Sequence, residues 1–499
     1  MEKIRVVPYD DVYVRIICDM GVANDLSDHF SFLIPNSQFH PKVKARFWDG
    51  RIRLFSTRTN LIYAGLRKRV EEYCQENGYE YEEDASLADS EMSKIDALSL
   101  IPAESFKFEP RAEQLKGYIR ALRARRGVFL LATGTGKSFL IHLLQYALNL
   151  NTLIIVPTLN LVHQMAADLE SYDNTGVTKD EIYKIYANQD KNINKRICIS
   201  TWQSLKDLPK EWFDKFDLVI GDEAHGFTAN KLTGVMEKLV DCPYKIGVTG
   251  TLSGQKTHSM VLEGLFGPVQ PIISTAEAIK NKTLSKLTIK TIVLRYPDEV
   301  CSQFRNTSFK DPTTGKRITV KPTWPDEINF IEENEKRNKF IAKLAHSLEG
   351  NVLVLFQHIK HGDSLKESIE MLNRSDRKIY YIHGQNTKGE ERFELQEEIN
   401  SGESSITIAG DKVFSVGVNI PNLNYIIFAS AGKARIKTLQ SIGRVLRRTE
   451  QKKTCTLFDL TDYLVWKNRK NFALLHYIER LKYYNEEKLE YKSYTVEIK

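Results

Sequence analysis

From about residue 120 to residue 460, short apolar runs rich in β-branched residues alternate with segments whose apolar positions recur at helical spacing. Such alternation predicts parallel sheets covered by helices. Strands are expected at residues 127–131, 152–156, 197–200, 218–221 and 245–249, and again at 352–356, 378–382, 405–409, 425–428 and 454–457. Each run opens into a loop of polar or glycine residues, and ligands bind at the carboxyl ends of strands in open α/β sheets. Two similar domains in tandem are the simplest reading, although no clear sequence repeat joins them.

The pattern changes outside this stretch. Residues 1–100 read as a small α+β unit, with the polar segment 82–99 as its connector to a first α/β domain at 101–285. A polar stretch at 281–287 marks the join to a second α/β domain, 286–462, and a Tyr- and Lys-rich tail, 463–499, reads as helical. Within 301–325, Pro312, Gly315, Pro322 and Pro325 argue against a continuous element and predict a protruding loop.

Composition narrows the class. The chain has 499 residues, 42% hydrophobic and 27% charged, enough for three or four domains with cores and not a disordered chain. A formal charge of +7 is too mild to diagnose a polyanion partner, so its location matters more than its sum. Six cysteines without a C-x-x-C pair or a nearby histidine cluster argue for a reducing compartment and against structural zinc. The first residues lack a signal-type apolar core and no run approaches a membrane span, so a cytoplasmic location is expected.

The candidate chemistry starts at the exit of the first predicted strand. Thr133, Gly134, Thr135, Gly136, Lys137 and Ser138 form a glycine loop leading into an apolar-periodic helix. Glycines let backbone N–H groups converge on phosphate oxygens, and the helix adds roughly +0.5 charge at its N-terminus. Lys137 would reach the β- and γ-phosphates of ATP and Ser138 would hold Mg²⁺. Leu131 stands where the usual pattern opens on glycine. At the exit of another strand, Asp222 and Glu223 supply one carboxylate for Mg²⁺, partly through water, and one to polarise the attacking water. Far downstream, Arg444 and Arg447 lie one helical turn apart and could neutralise the γ-phosphate, beside Gln440 in the same segment. Thr249 and Thr251 flank Gly250 after a strand and could couple the acidic pair to the second domain.

Taken in order, these strings resemble motifs I, II, III and VI of the superfamily 2 helicases. Arg111 and Gln114 resemble the upstream adenine-reading motif, Pro157, Thr158 and Gln164 motif Ia, and Thr201, Trp202 and Gln203 motif Ib. Phe356, His383 with Gly384, and the segment from Phe414 to Asn419 resemble motifs IV, IVa and V, where Gly417 and Asn419 imply ribose or backbone contacts. Phe47-Trp-Asp-Gly-Arg-Ile-Arg-Leu54, Pro209-Lys-Glu-Trp-Phe213 and Leu294-Arg-Tyr-Pro-Asp-Glu299 are further similar to the UvsW-type recombination helicases of T-even phages. The resemblance implies two tandem RecA-like parallel-sheet domains, a small α+β N-terminal domain and a short helical C-terminal region. It also implies an ATP-driven motor that unwinds or branch-migrates DNA junctions, stalled forks and R-loops in the cytoplasm of a host cell. The 301–325 loop has no counterpart in that pattern.

Three places combine positive charge with planar side chains suited to phosphates and bases. Residues 42–69 hold nine Lys and Arg, Arg46, Arg51 and Arg53 among them, against Asp49, with Phe47 and Trp48 in the middle; Trp48 reads equally as core. The 301–325 loop carries Phe309 and Trp324 as a strand-separating wedge or as part of a surface insertion. The tail carries eight cations, Arg480 and Lys482 among them. Two alternatives share these residues: an RNA helicase, and a nucleotide-gated clamp or annealing protein that does not unwind.

Overall fold

The computed structural model describes all residues except 1, 35–36, 187–189, 193, 228–229, 253–255, 306–307, 311–316, 320, 374–376, 385–394, 396, 403, 412–421, 431, 433–441, 444–445, 447–451, 453 and 499. It divides into two compact units, Met1–Leu131 with Gly136–Ile273, and Ala132–Thr135 with Ser274–Lys499.

The first unit holds a seven-stranded sheet in the order Ile182–Ile185, Ile197–Thr201, Thr152–Val156, Leu218–Asp222, Tyr244–Thr249, Arg126–Leu131, Val269–Ile273, every neighbouring pair parallel. Central strands read as continuous apolar runs because both faces are covered: all five residues of Thr152–Val156 are buried. The second unit repeats the arrangement with Lys378–Ile382, Ser405–Gly410, Val352–Phe356, Tyr425–Phe428, Thr454–Tyr463, Lys286–Arg295 and Tyr491–Glu497, again parallel throughout. Position by position the two sheets have the same order in sequence, so the tandem repeat lies in topology where residue identities conceal it.

The N-terminal residues form a five-stranded sheet, Phe55–Ser56, Leu61–Tyr63, Tyr13–Ile17, Lys3–Pro8 and Glu80–Glu83, with helices Met20–His29 and Arg67–Asn77. Strict alternation buries Ile4, Val6, Val14 and Ile16 on one face. That face shares one continuous core with Val128, Val219 and Phe266 of the larger sheet's layer, so the N-terminal residues pack as part of the first unit. The 82–99 connector packs too: helix Lys94–Ser99 buries Ala97, whose carbonyl accepts from Tyr118 Oη at 2.8 Å.

Two readings are corrected. The tail is not wholly helical; after helix Phe472–Glu486 it ends in the strand Tyr491–Glu497, parallel to Lys286–Arg295. In place of an irregular loop, 301–325 holds the end of helix Asp298–Arg305, an antiparallel pair Ser308–Lys310 with Arg317–Thr319, and the start of helix Trp324–Glu332, where Pro325 at the first turn is compatible with helix. Trp324 packs edge-on against Phe472 and His476, which removes it from a wedge role.

Candidate nucleotide and nucleic-acid site

Because strands Arg126–Leu131, Tyr244–Thr249 and Leu218–Asp222 are adjacent and parallel, their carboxyl ends lie side by side at one sheet edge. The glycine loop follows the first, Thr249 and Thr251 the second, and Asp222 with Glu223 the third. Gly134 and Gly136 have φ of +90° and +85°, the left-handed region that glycine enters without penalty. A Cβ on Gly136 would lie 2.3 Å from Gln114 Nε2. Gln114 uses both ends of its amide. Its Oε1 accepts from Arg111 N at 2.9 Å, starting helix Ala112–Ala124, and its Nε2 donates to Gly136 O at 3.2 Å, tying that start to the glycine turn.

Helix Lys137–Leu148 opens with Lys137, whose Nζ is 3.7 Å from Glu223 Oε1. Ser138 Oγ lies 2.8 Å from Tyr172 Oη. Asp222 is buried, and its Oδ1 has no hydrogen-bond partner among the described residues. Burial first, and then the neighbouring Glu223 carboxylate, push its carboxyl up, against the opposing pull of Lys137. A buried acceptor without a partner suits a cation, and no group of three or more His, Cys, Asp or Glu among the described residues could hold a metal alone. This donor set therefore fits Mg²⁺, which takes one or two protein oxygens and completes its shell with phosphates and water.

Glu223 has φ +49° and ψ +50°, unusual for a residue with a Cβ. His225, two residues beyond Glu223, connects two of the strand exits. Its Nδ1 lies 3.0 Å from Thr249 Oγ1 and 3.4 Å from Glu223 Oε2, and Thr249 Oγ1 in turn donates to Thr251 O at 2.9 Å. Thr251 Oγ1 is buried without a hydrogen-bond partner.

Next along the same edge come the exits of Thr152–Val156 and Ile197–Thr201. They place Pro157 and Thr158 beside Thr201, Trp202 and Gln203. Thr158 is the N-cap of helix Leu159–Tyr172 but makes no capping bond, leaving Oγ1 buried without a partner. Gln203 is exposed at the start of the short helix Trp202–Leu205. In the second unit His383 and Gly384 follow the edge strand Lys378–Ile382, with the His383 ring 4.9 Å from Tyr381. Gly417, Asn419, Gln440, Arg444 and Arg447 lie outside the described residues.

In the N-terminal sheet region, strand Arg51–Arg53 pairs with Ser31–Leu33. Trp48 Nε1 donates to Arg51 O at 2.9 Å, Arg51 Nη1 donates to Ser31 Oγ at 2.9 Å and Arg53 pairs with Asp49 at 2.6 Å. Trp48 is thus half-buried and fixed, while Arg46 and the neighbouring Phe47, 87% exposed, face solvent. Arg480 of the tail is not a surface cation: it is buried, with Nε 3.0 Å from both Asp459 oxygens and Nη1 donating to Gly432 O at 2.7 Å. Tyr172, which the sequence did not single out, ends a helix and carries no local signature.

Residues 3–84 match the family described as DNA helicase UvsW, N-terminal. Residues 104–254 match the Type III restriction enzyme res subunit, and 335–449 the helicase conserved C-terminal domain. The chain is 31% identical to the ATP-dependent DNA helicase uvsW of Enterobacteria phage T4, over 99% of this chain and 100% of that protein. It is 23% identical to the DNA 3'-5' translocase XPB2 of Sulfurisphaera tokodaii, over 85% of this chain and 94% of that one. The crystal structure of T4 UvsW aligns over 100% of both chains with a TM-score of 0.52 at 31% identity. The type ISP restriction-modification enzyme LlaBIII bound to DNA shares the fold at 15% identity and a TM-score of 0.55, over 78% of this chain and 32% of that one.

Proposed function

The chain belongs to the UvsW family of superfamily 2 DNA helicases, and from that membership we propose the part its own residues play in an ATP-dependent DNA helicase. Arg111 and Gln114 read the adenine. Thr133 to Gly136 wrap the phosphates with backbone N–H groups, and Lys137 neutralises the β- and γ-phosphates. Ser138 and Asp222 hold Mg²⁺, which when bound offsets charge on the phosphate oxygens. Glu223 orients and polarises the attacking water, with Lys137 and His225 fixing its carboxylate. Arg444 and Arg447, with Gln440, bring charge to the γ-phosphate in the transition state, and Gly417 and Asn419 contact the ribose or backbone.

The track is DNA. Pro157, Thr158, Thr201, Trp202, Gln203, His383 and Gly384 hold its backbone, and Arg46, Arg51 and Arg53 add salt-sensitive phosphate contacts, with Trp48 bracing the Arg51 strand. Branched DNA, such as junctions, forks and R-loops, is the proposed substrate, and Thr249 and Thr251, reached from Glu223 through His225, transmit the hydrolytic state. The proposed compartment is the reducing cytoplasm. All six cysteines are free, and no described helix is long and apolar enough to cross a membrane.

One observation carries this reading: three adjacent strand exits bring Lys137 to 3.7 Å from Glu223 beside a buried Asp222 oxygen without a partner. Lys137→Ala and Glu223→Gln are each expected to lower forked-DNA-stimulated ATP turnover by about 10²-fold or more, while affinity for forked DNA changes little. Undiminished turnover in either variant overturns the assignment. Intact junction processing without turnover in Glu223→Gln would identify a clamp instead.

A further inference from the structure

We propose that Tyr172 is the positioning residue that aims Ser138 at the magnesium ion, an inference that rests on the reading of Ser138 as a metal ligand. A serine hydroxyl has one proton and two lone pairs. To ligate a cation it must turn a lone pair toward the ion and its proton away, which requires an acceptor on the far side. Tyr172 Oη lies 2.8 Å from Ser138 Oγ, a pair in which either hydroxyl can donate, and the proposed state is the one in which Ser138 donates and Tyr172 accepts.

The phenol is held where it can do this. Tyr172 is the last residue of helix Leu159–Tyr172, and its carbonyl accepts from Lys107 N at 3.0 Å. Its ring packs edge-on against Phe139 and Phe108, at centroid distances of 5.0 and 6.2 Å, and lies 5.8 Å from His142. Phe139 and His142 belong to the helix that Lys137 and Ser138 open. Three rings and a backbone bond hold the tyrosine oxygen in place, so an acceptor for the Ser138 proton stands ready before any metal arrives. Lys107 and Phe108 also lie just ahead of Arg111, so one side chain spans the segment that reads the base and the hydroxyl that takes the metal.

Tyr172→Phe removes the oxygen and keeps the ring. Binding of a fluorescent ATP analogue to the full chain, titrated with Mg²⁺, is the measurement. The half-saturating Mg²⁺ concentration is expected to rise about tenfold, as for partners that orient metal ligands. Affinity in EDTA should stay at the wild-type value, which also reports an intact base site. In a Ser138→Ala background, Tyr172→Phe should add nothing. An unchanged or lowered Mg²⁺ midpoint in Tyr172→Phe, or a further loss on top of Ser138→Ala, overturns the inference alone. Mg²⁺-independent nucleotide binding by the wild-type chain would overturn both it and the reading of Ser138.

Discussion

At the scale of single residues, the site is built from groups held against their own preferences. Glu223 occupies a left-handed backbone conformation that costs a residue with a Cβ on the order of 1 kcal/mol. The sharp turn directly after the strand fixes the carboxylate between Lys137 and His225, where a relaxed backbone would carry it away. Residue types and spacings made the acids, the lysine and the glycines legible in the sequence. His225 acting toward Thr249, and Tyr172 toward Ser138, were not, because each contact joins residues 24 or 34 positions apart through the fold alone. Lys245 is a third residue with no sequence signal. It is buried at the start of its strand, donates to Leu239 O at 2.6 Å, and is pushed down to about 7 from an ordinary value of 10.5 by burial and then by the Arg126 charge. Between those two values the unfolded chain holds a proton that the folded chain lacks, so raising the pH favours folding. From pH 7 to 8.5, stability measured by urea unfolding should climb on the order of 1 kcal/mol per pH unit more in the wild type than in Lys245→Met. Parallel pH profiles for the two would mean that Lys245 stays charged in the fold.

At the scale of elements, most strands covered on both faces announced themselves, as did the edge strand Lys378–Ile382, whereas the edge strands Ile182–Ile185, Val269–Ile273 and Tyr491–Glu497 and the inner strand Lys286–Arg295 did not. The predicted runs lie within a residue or two of Thr152–Val156, Leu218–Asp222 and Val352–Phe356, whose residues are buried throughout. Tyr491–Glu497 is largely exposed along its length, so neither a continuous nor an alternating apolar pattern marks it. Helix Phe472–Glu486 was legible as a helix but not in its anchoring. Arg480 is buried on Asp459, which also accepts from Tyr484 Oη at 2.8 Å. A buried pair is net weak, yet losing one partner strands the other charge. Arg480→Met should therefore destabilise the second unit by about 3–5 kcal/mol, and Arg480→Met with Asp459→Leu should recover most of that loss. Thermal unfolding of the three chains separates these outcomes, and equal melting of single and double variants would assign the loss to packing instead of charge.

At the scale of the whole molecule, the sequence divides the chain at residue 100, whereas the N-terminal sheet is built into the first unit. Arg69 makes a two-point pair with Glu263, at 2.6 and 2.8 Å, and Tyr63 and Tyr13 both donate to Glu237. Asp11 N donates to Val240 O, and Arg126 reaches back to Asp11 O. Partners more than one hundred positions apart leave no trace in local pattern, which is why the join was invisible. Gly65 shows how close the approach is: a Cβ there would stand 1.9 Å from Glu263 O, a backbone atom that cannot swing aside. The DNA-binding surface proposed at Arg46, Arg51 and Arg53 would do mechanical work only if its mounting is stiff, because a compliant joint yields before the duplex does. Gly65→Ala should therefore loosen the N-terminal sheet, at a cost of about 1–3 kcal/mol from overpacking, and the mounting should fail before the motor does. Forked-DNA unwinding is expected to fall about tenfold or more while DNA-stimulated ATP turnover stays within roughly twofold of wild type, the separation expected when a stiff structural link and not the chemistry is lost. Arg69→Met, which leaves the backbone contact intact, should give the same split in smaller measure. If turnover and unwinding declined together in both variants, the N-terminal sheet would be acting on the nucleotide site and not as a rigid mount for DNA.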